Sequence, residues 1–256
     1  MINTVKVLGI VPARGKSKGI PRKNITPLAG RPLLAYTIEA ANKSCMLHEL
    51  VISTDDAEIR EIAQSLGARA PFIRPAHLAD DTTLMPPVII HTIEWLKQDE
   101  GKEFDVVFVL LPTAPLRTAE DIDTCIRFFI KERRARSLLA VTKVNDPHPW
   151  KMKIIKDGWL RPLMNPAGEN VAMRRQDCPP VYAPCGAAIL TRTHDLLAEG
   201  KLLNPPVLPY LMPAERGINI DTEIDLRLAE CLLAERKASD NSLGQESRFN
   251  FCEKLD

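Results

Sequence analysis

The sequence predicts an α/β protein built on a doubly wound, mostly parallel sheet. Two observations carry this. Over about the first 140 residues, apolar runs of strand length alternate with segments of helical periodicity. The strand runs are continuously apolar, as expected of strands covered by helices on both faces.

The elements follow in order. Lys6–Val11 reads as the first strand. Pro32–Asn42 opens with proline in the first turn and continues through Leu33, Leu34 and Ile38 at helical spacing. Leu50–Ser53 is a short buried strand. Asp56–Leu66 is a helix, capped by Asp55 or Asp56 and stopped at Gly67. Pro86–Lys97 is helical, Asp105–Leu111 is the strongest strand, Ala119–Arg133 is the next helix, and Leu138–Val144 is another strand. The pattern then breaks. Residues 145–185 hold Pro147, Pro149, Pro162, Pro166, Pro179, Pro180 and Pro184, and read as short strands and loops inserted into the main domain. Gly186–Leu190 restores a strand, and Thr222–Lys237 is a long final helix. One main domain, 1–236, therefore carries an insertion and is followed by a polar, frayed tail at 237–256.

A chain of 256 residues, 45% hydrophobic and 26% charged, has ordinary globular composition. The net charge of +1 supplies no global field for nucleic acid or an anionic membrane, so any anion must meet a local cluster. No stretch approaches the ~20 apolar residues of a membrane span. Val5–Val11 runs directly into Pro12-Ala13-Arg14, which suits a strand and not a signal peptide, so a cytoplasmic protein is expected. The six cysteines form no C-x-x-C pair, and neither zinc nor disulfides are expected.

The chemistry concentrates in the loop after the first strand. Arg14, Lys16, Lys18, Arg22 and Lys23 fall within ten residues, with Gly15 and Gly19 among them and no acid. Such a loop lies beyond the carboxyl end of a strand, where open α/β sheets bind ligands. Five neighbouring cations repel one another unless an anion or solvent compensates them. A triphosphate matches their charge and has a leaving group that needs stabilisation. The alternative is a solvated basic loop. Neither a Walker A motif nor G-x-G-x-x-G is present, which disfavours a dinucleotide enzyme.

The loop, Pro12-Ala-Arg-Gly-Lys-Ser-Lys-Gly-Ile-Pro-Arg-Lys-Asn24, is followed by Leu28-Ala-Gly-Arg-Pro-Leu-Leu-Ala-Tyr-Thr-Ile-Glu-Ala-Ala41. Together they resemble the opening of the acylneuraminate cytidylyltransferases, the CMP-sialic acid synthetases and their relatives for other nonulosonic acids. The resemblance continues at Ser53-Thr-Asp-Asp56, Arg74-Pro-Ala-His-Leu-Ala-Asp-Asp-Thr82, Pro112-Thr-Ala-Pro-Leu-Arg117 and Asn219-Ile-Asp-Thr-Glu-Ile-Asp225, and extends to about Glu235. It implies a Rossmann-like nucleotidyltransferase, a three-layer sandwich with a small inserted dimerisation element. It implies CTP and an acidic keto-sugar as partners, a CMP-sugar and pyrophosphate as products, Mg²⁺ as cofactor, and a homodimer.

The resemblance also implies roles. Arg14, Lys18 and Lys23 match positions that hold the triphosphate, with Gly15 beside them. Asn24 and Arg74 match positions that contact the cytidine, and Thr83 lies in the same loop as Arg74. Asp221 matches a metal ligand. From the residues alone, Asp221 or Thr222 serves equally well as a helix N-cap. The family usually has two aspartates here, one residue apart; in this chain the first is Asn219, which offers a neutral oxygen and no charge. Asp56 and Asp81 are further available carboxylates.

Pro147-His-Pro-Trp-Lys151 and Arg174-Arg-Gln-Asp-Cys-Pro-Pro180 resemble the family's inserted segment, whose lysine and arginine reach across the dimer. Lys151 and Arg175 are the matching positions. Trp150 and Trp159 are expected at the dimer interface. Three departures fall on the sugar side. Leu111 stands where the family commonly has glutamine, and Ala183-Pro184-Cys185-Gly186 lacks the arginine and asparagine usual around Pro-x-Gly. The sugar pocket, with Leu111 and Cys185, is thus expected to favour a legionaminic- or pseudaminic-type sugar over N-acetylneuraminate. The alternatives left open are a CMP-Kdo, GTP- or UTP-dependent enzyme, or a non-catalytic nucleotide-binding module, which Asn219 alone favours.

Replacing Arg14 or Lys18 with alanine is expected to cripple CTP affinity or turnover. Normal binding and consumption by both variants would overturn the phosphate reading of the loop.

Overall fold

The computed structural model describes residues 5–17, 19–164, 174, 176 and 178–252, with side chains through 236 and at 238. β1 (Val7–Pro12) is followed by the tiny hairpin β2 (Pro27–Leu28) and β3 (Arg31–Pro32), then by α1 (Leu33–Asn42), β4 (Glu49–Ser53) and α2 (Ala57–Ser65). α3 (Met85–Glu100), β5 (Val106–Val109), α4 (Ala119–Lys131) and β6 (Ser137–Lys143) complete the regular part. A separate hairpin, β7 (Lys153–Lys156) and β8 (Trp159–Pro162), precedes β9 (Tyr182–Arg192), α5 (Thr193–Glu199), β10 (Val207–Leu211) and α6 (Glu223–Cys252).

The main sheet has the order β10-β6-β9-β5-β1-β4. β1 pairs in parallel with both β4 and β5, and β10 pairs in parallel with β6. β9 runs antiparallel between β5 and β6, so five strands share one direction. The continuously apolar strands are buried on both sides. Val106 and Phe108 point into a core shared with Ile38 of α1, Ile59 of α2 and Phe129 of α4. Val107 and Val109 point the other way, toward Ile89 and Ile93 of α3 and Leu196 of α5. The result is the expected three-layer sandwich.

The chain turns from β1 to β4 on one side and then to β5 on the other. The carboxyl end of β1 is therefore a topological switch point, where strand-end loops diverge and leave a crevice. The loops after β1, β4, β5 and β10 all open at this end. A third apolar cluster, with Ile20, Leu28, Leu116, Ile220 and Leu233, anchors the basic loop and β2 against the start of α6.

Several expectations are corrected. β9 is longer than Gly186–Leu190, so the last residues of the expected insertion, from Tyr182, already belong to the main sheet. β10 and α5 were not anticipated. β10 carries Pro209, which an edge strand tolerates because one side of its backbone makes no ladder bonds. α6 does not end near Lys237; its backbone stays helical to Cys252. Among the described residues no helix is long and apolar enough to cross a membrane.

Phe108 is fully buried at the centre of the sheet, whereas Leu84 lies largely exposed at the cleft rim. Phe108→Ala is expected to lower unfolding stability by ~3–5 kcal/mol. Leu84→Ala should change it by less than ~0.5 kcal/mol. Urea denaturation followed by circular dichroism checks both.

Candidate active site

A cleft of about 590 Å³ opens beyond the carboxyl ends of β1 and β5. Arg14, Lys23 and Asn24 line it from the basic loop, and Arg74, Asp80, Asp81 and Thr83 from the segment before α3. Leu111, Pro112 and Thr113 follow β5, and Asp221 precedes α6. Lys18 and Arg175 lie outside the described residues.

The basic loop is fixed from below. Ala13 N–H donates to Ser53 O at 2.9 Å, and Gly15 N–H to Asp55 Oδ1 at 3.0 Å. The Asn24 amide donates to Arg14 O at 2.8 Å, so this buried side chain shapes the loop from inside. The two glycines make room for the protein's own residues. A Cβ at Gly15 would lie 2.7 Å from Asp56 Oδ2, and one at Gly19 2.5 Å from Asp221 O.

The cations of this loop are compensated by carboxylates from distant parts of the chain. Arg14 pairs with Asp81 at 3.0 Å, and Lys23 with Asp221 at 2.9 Å. Arg22 holds both Asp56 and Glu58. The loop has no acid of its own, and the fold supplies four. Partly exposed pairs of this kind are worth only ~0–1 kcal/mol each. Charge-assisted hydrogen bonds to an ionised partner contribute ~1.5–3 kcal/mol. A triphosphate can therefore take Arg14 and Lys23 from their carboxylates at small cost.

Arg74 is a different kind of cation. It is only 4% exposed, donates to Ser53 O at 2.9 Å and stands 3.8 Å from Asp55. Burial lowers its pKa, yet it keeps its charge at neutral pH. Thr83 donates to His77 O at 3.1 Å and sits on the rim of the cleft. The cleft also has apolar lining, from Leu78, Leu84, Met85, Val88 and Leu111, with Leu78 O accepting from Arg74 Nη1 at 3.4 Å.

Asp221 is 66% exposed at the mouth. The capping role is taken by its neighbours. Thr222 N–H and Oγ1 both donate to Asp225 Oδ2 at 2.8 Å, and Asp225 N–H returns to Thr222 Oγ1 at 3.4 Å. The Asp221 carboxylate thus faces Lys23 with one oxygen and accepts from Asn219 Nδ2 with the other, at 2.7 Å. Asn219 Oδ1 accepts from the Thr113 hydroxyl at 2.6 Å. Asn219 therefore serves Asp221 as a hydrogen-bond donor, and its oxygen points elsewhere.

Two sugar-side candidates are placed apart from the cleft. Cys185 is buried in the core beside the position a Gly217 side chain would need, and does not reach the wall. Gly186, at φ 69°, replaces it there: a Cβ at Gly186 would come within 3.0 Å of Asn219 Oδ1 and 3.3 Å of Leu111. Lys151, in the turn Pro149–Lys151, is not among the described residues lining the cleft of its own chain. Sequence reasoning missed Asp55 and the apolar wall, and the signal for Asp55 was its place directly after a strand end.

Asp56 caps α2 by accepting from Ile59 N–H at 3.0 Å. Burial alone raises its pKa, but the Ile59 N–H and Arg22 outweigh that and hold it below the ordinary value. Its ionised form therefore stabilises the fold above the unfolded pKa, and that contribution disappears as pH falls through the folded pKa. Asp56→Ala is expected to cost ~1–2 kcal/mol at neutral pH. The gap to wild type should narrow as pH falls below the ordinary aspartate range. Denaturant titrations across pH check the sign.

A cytidylyltransferase family model matches residues 8–148, which spans the basic loop, both halves of the switch point and the β5 loop. The chain is 33% identical over 228 residues to the pseudaminic acid cytidylyltransferase of Campylobacter jejuni, covering 89% of this chain and 96% of that one. It is 32% identical over 234 residues to the CMP-N,N'-diacetyllegionaminic acid synthase of Legionella pneumophila, covering 90% and 97%. In fold it is similar to CMP:2-keto-3-deoxy-manno-octonic acid synthetase complexed with CTP, at a TM-score of 0.66 and 15% identity over 90% of this chain and 99% of that one. A basic loop tied to Asp81 and Asp221 across a switch-point cleft, in a chain this similar to such enzymes along nearly its whole length, belongs to the cytidylyltransferase family.

Proposed function

We propose that this protein joins CTP to a nonulosonic acid, releasing a CMP-sugar and pyrophosphate. The observation that carries this is the cleft itself: Arg14 and Lys23 line it, each paired with a carboxylate that lines it too, Asp81 and Asp221, together with the buried Arg74 and an apolar wall.

In the reaction the sugar's anomeric oxygen forms a bond to the α-phosphorus of CTP. The bond from that phosphorus to the bridging oxygen breaks in line, pyrophosphate leaves with the electron pair, and the proton of the anomeric hydroxyl passes to solvent. Arg14 and Lys23 hold the β- and γ-phosphates and stabilise the charge that develops on the leaving group. Lys18 belongs to the same set by its place in the loop. Arg74, Asn24 and Thr83 form the nucleoside end, and Gly15 stays beside the triphosphate cations. Arg74 and Asn24 are already held by backbone carbonyls and keep the loop in shape for the ligand.

Asp221 fits Mg²⁺, a hard cation that commonly takes one or two carboxylates and completes its octahedron with phosphate oxygens and water. Its carboxylate is exposed, and it is paired with a displaceable ammonium, Lys23. Mg²⁺ would supply charge neutralisation on the phosphates. Asn219 would orient Asp221 without adding a charge of its own. No histidine is among the described residues lining the cleft, so none stands ready to accept the hydroxyl proton.

On the sugar side, Leu111, Met85 and Val88 offer methyl-rich surface and no hydroxyl partners. That favours a sugar carrying acylamino and deoxy groups, of the pseudaminic or legionaminic type, over a more hydroxylated one. The relatives named for such sugars support this reading. Synthesis in the cytoplasm, where CTP is made, follows from the choice of substrate.

The functional unit is proposed to be a homodimer. The β7–β8 hairpin stands apart from the main sheet and exposes Ile155, Trp159 and Leu160, each more than 70% accessible. A lone two-stranded hairpin is marginally stable in water, and exposed apolar groups on both its faces, the cross-strand pair Ile155 and Leu160 on one and Trp159 on the other, call for a partner. A second copy covers it and brings Lys151, and with it the segment carrying Arg175, toward the neighbouring cleft, where a cation can meet the sugar carboxylate.

Pyrophosphate release from CTP and Mg²⁺, offered a panel of nonulosonic acids and Kdo, tests the activity. Turnover is expected with pseudaminic- or legionaminic-type acids, at least about tenfold above N-acetylneuraminate, which corresponds to ~1.4 kcal/mol of discrimination. Turnover with GTP or UTP and not CTP would overturn the reading. Trp159→Glu is expected to convert the dimer to monomer in sedimentation equilibrium and to lower activity. A monomeric wild-type protein would overturn the assembly.

A further inference from the structure

The position of Asp221 decides what the cleft can do, yet Asp221 sits at the end of a long connection between β10 and α6, 66% exposed and away from the core. The connection is held at its other end by a bidentate ion pair. Arg216 donates from Nε to Asp121 Oδ2 at 3.0 Å and from Nη2 to Oδ1 at 2.9 Å. Asp121 is 3% exposed in the first turn of α4. It also accepts from Thr118 N–H at 3.0 Å, Thr118 Oγ1 at 2.9 Å and Tyr210 O–H at 3.2 Å. A planar guanidinium fork on a carboxylate so enclosed fixes orientation as well as distance. Burial works to raise the Asp121 pKa, and Arg216 together with Thr118 more than reverses it, so the pair is ionised.

From Arg216 onward the chain has little freedom. Gly217 lies against β6 so closely that a Cβ would stand 2.1 Å from Thr142 Cγ2. Asn219 accepts from Thr113 and donates to Asp221. Ile220 N–H donates to Thr113 O at 2.7 Å and its side chain is buried. Neither Asp121 nor Arg216 is among the described residues lining the cleft.

We infer that the Asp121–Arg216 pair is a positioning device for the reaction: by clamping the β10–α6 connection outside the cleft, it sets where the Asp221 carboxylate stands relative to Lys23 and the phosphates. This rests on the cytidylyltransferase reading of the cleft. Arg216 is a positioning residue and touches no reacting atom.

The test uses the full chain with Arg216→Met and Arg216→Lys, and Phe129→Leu as a control that loosens the core without touching the connection. Three quantities are read: steady-state pyrophosphate release, the Mg²⁺ concentration giving half-maximal rate, and the rate at which an amine-acylating reagent labels Lys23 in the nucleotide-free protein, followed by mass spectrometry. Arg216→Met is expected to lower kcat about 30-fold, leave KM for CTP within about threefold and raise the half-saturating Mg²⁺ several-fold. Lys23 should label about three times faster or more, because its partner has moved. Arg216→Lys should fall between, since it keeps the charge and loses the fork. Phe129→Leu should leave kcat, Mg²⁺ dependence and labelling near wild type. Unchanged kcat and Lys23 labelling in Arg216→Met would overturn the inference, as would an equal loss in the Phe129→Leu control. Should Arg216→Met fail to fold, Arg216→Lys decides by the same criteria. A wild-type protein that releases no pyrophosphate from CTP with any sugar refutes the functional reading instead, and the Lys23 labelling arm still decides the clamp.

Discussion

Everything at the cleft depends on how the positive charge after β1 is neutralised. The loop cannot carry Arg14, Lys16, Lys18, Arg22 and Lys23 at close quarters without opposing charge, and it contains none of its own. Asp81, Asp221, and Asp56 with Glu58 supply it from three other parts of the chain. These pairs tie the loop to the segment before α3, to the start of α6 and to the start of α2. The same contacts that hold the ligand-free loop in shape mark where anionic oxygens are welcome. Because each pair is partly solvated, it holds the loop in place and yields readily to a stronger anion.

The fold makes this convergence possible. Strand β1 has a parallel neighbour on each side, so the loops leaving β1, β4 and β5 part at one point. β10 shares their direction and delivers Asp221 to the same edge, while antiparallel β9 brings Gly186 there by its opposite end. Five segments distant in sequence therefore meet at the switch point. The apolar clusters behind them are fully packed, so the polar groups at the edge are displayed on a rigid base.

Much of the fold was legible because its signals are local. Continuous apolar runs at Val7–Pro12 and Val106–Val109 mark strands covered on both faces, and Asp56 and Thr118 mark helix starts through their own side chains. What was not legible depends on neighbours. Pro209 looks like a breaker until the strand that holds it proves to be an edge, and α5 has only seven residues over which to show a period. At the site the cations were visible and their partners were not, since Lys23 meets Asp221 across nearly two hundred residues. Gly15 and Gly19 stand out among the loop cations, but nothing local shows that they make room for Asp56 and Asp221. Cys185 was placed on the sugar wall by its position in a motif, but the alternation of β9 turns its side chain into the core and leaves Gly186 at the cleft.

The central claim is that the loop cations exchange their carboxylate partners for the phosphates of the nucleotide. A crystal structure of the complex with CTP and Mg²⁺ tests it most directly. The account predicts that Lys23 Nζ leaves Asp221, from 2.9 Å to beyond salt-bridge range, and that Arg14 leaves Asp81, both coming to rest on phosphate oxygens. A bound triphosphate with both pairs intact would contradict it.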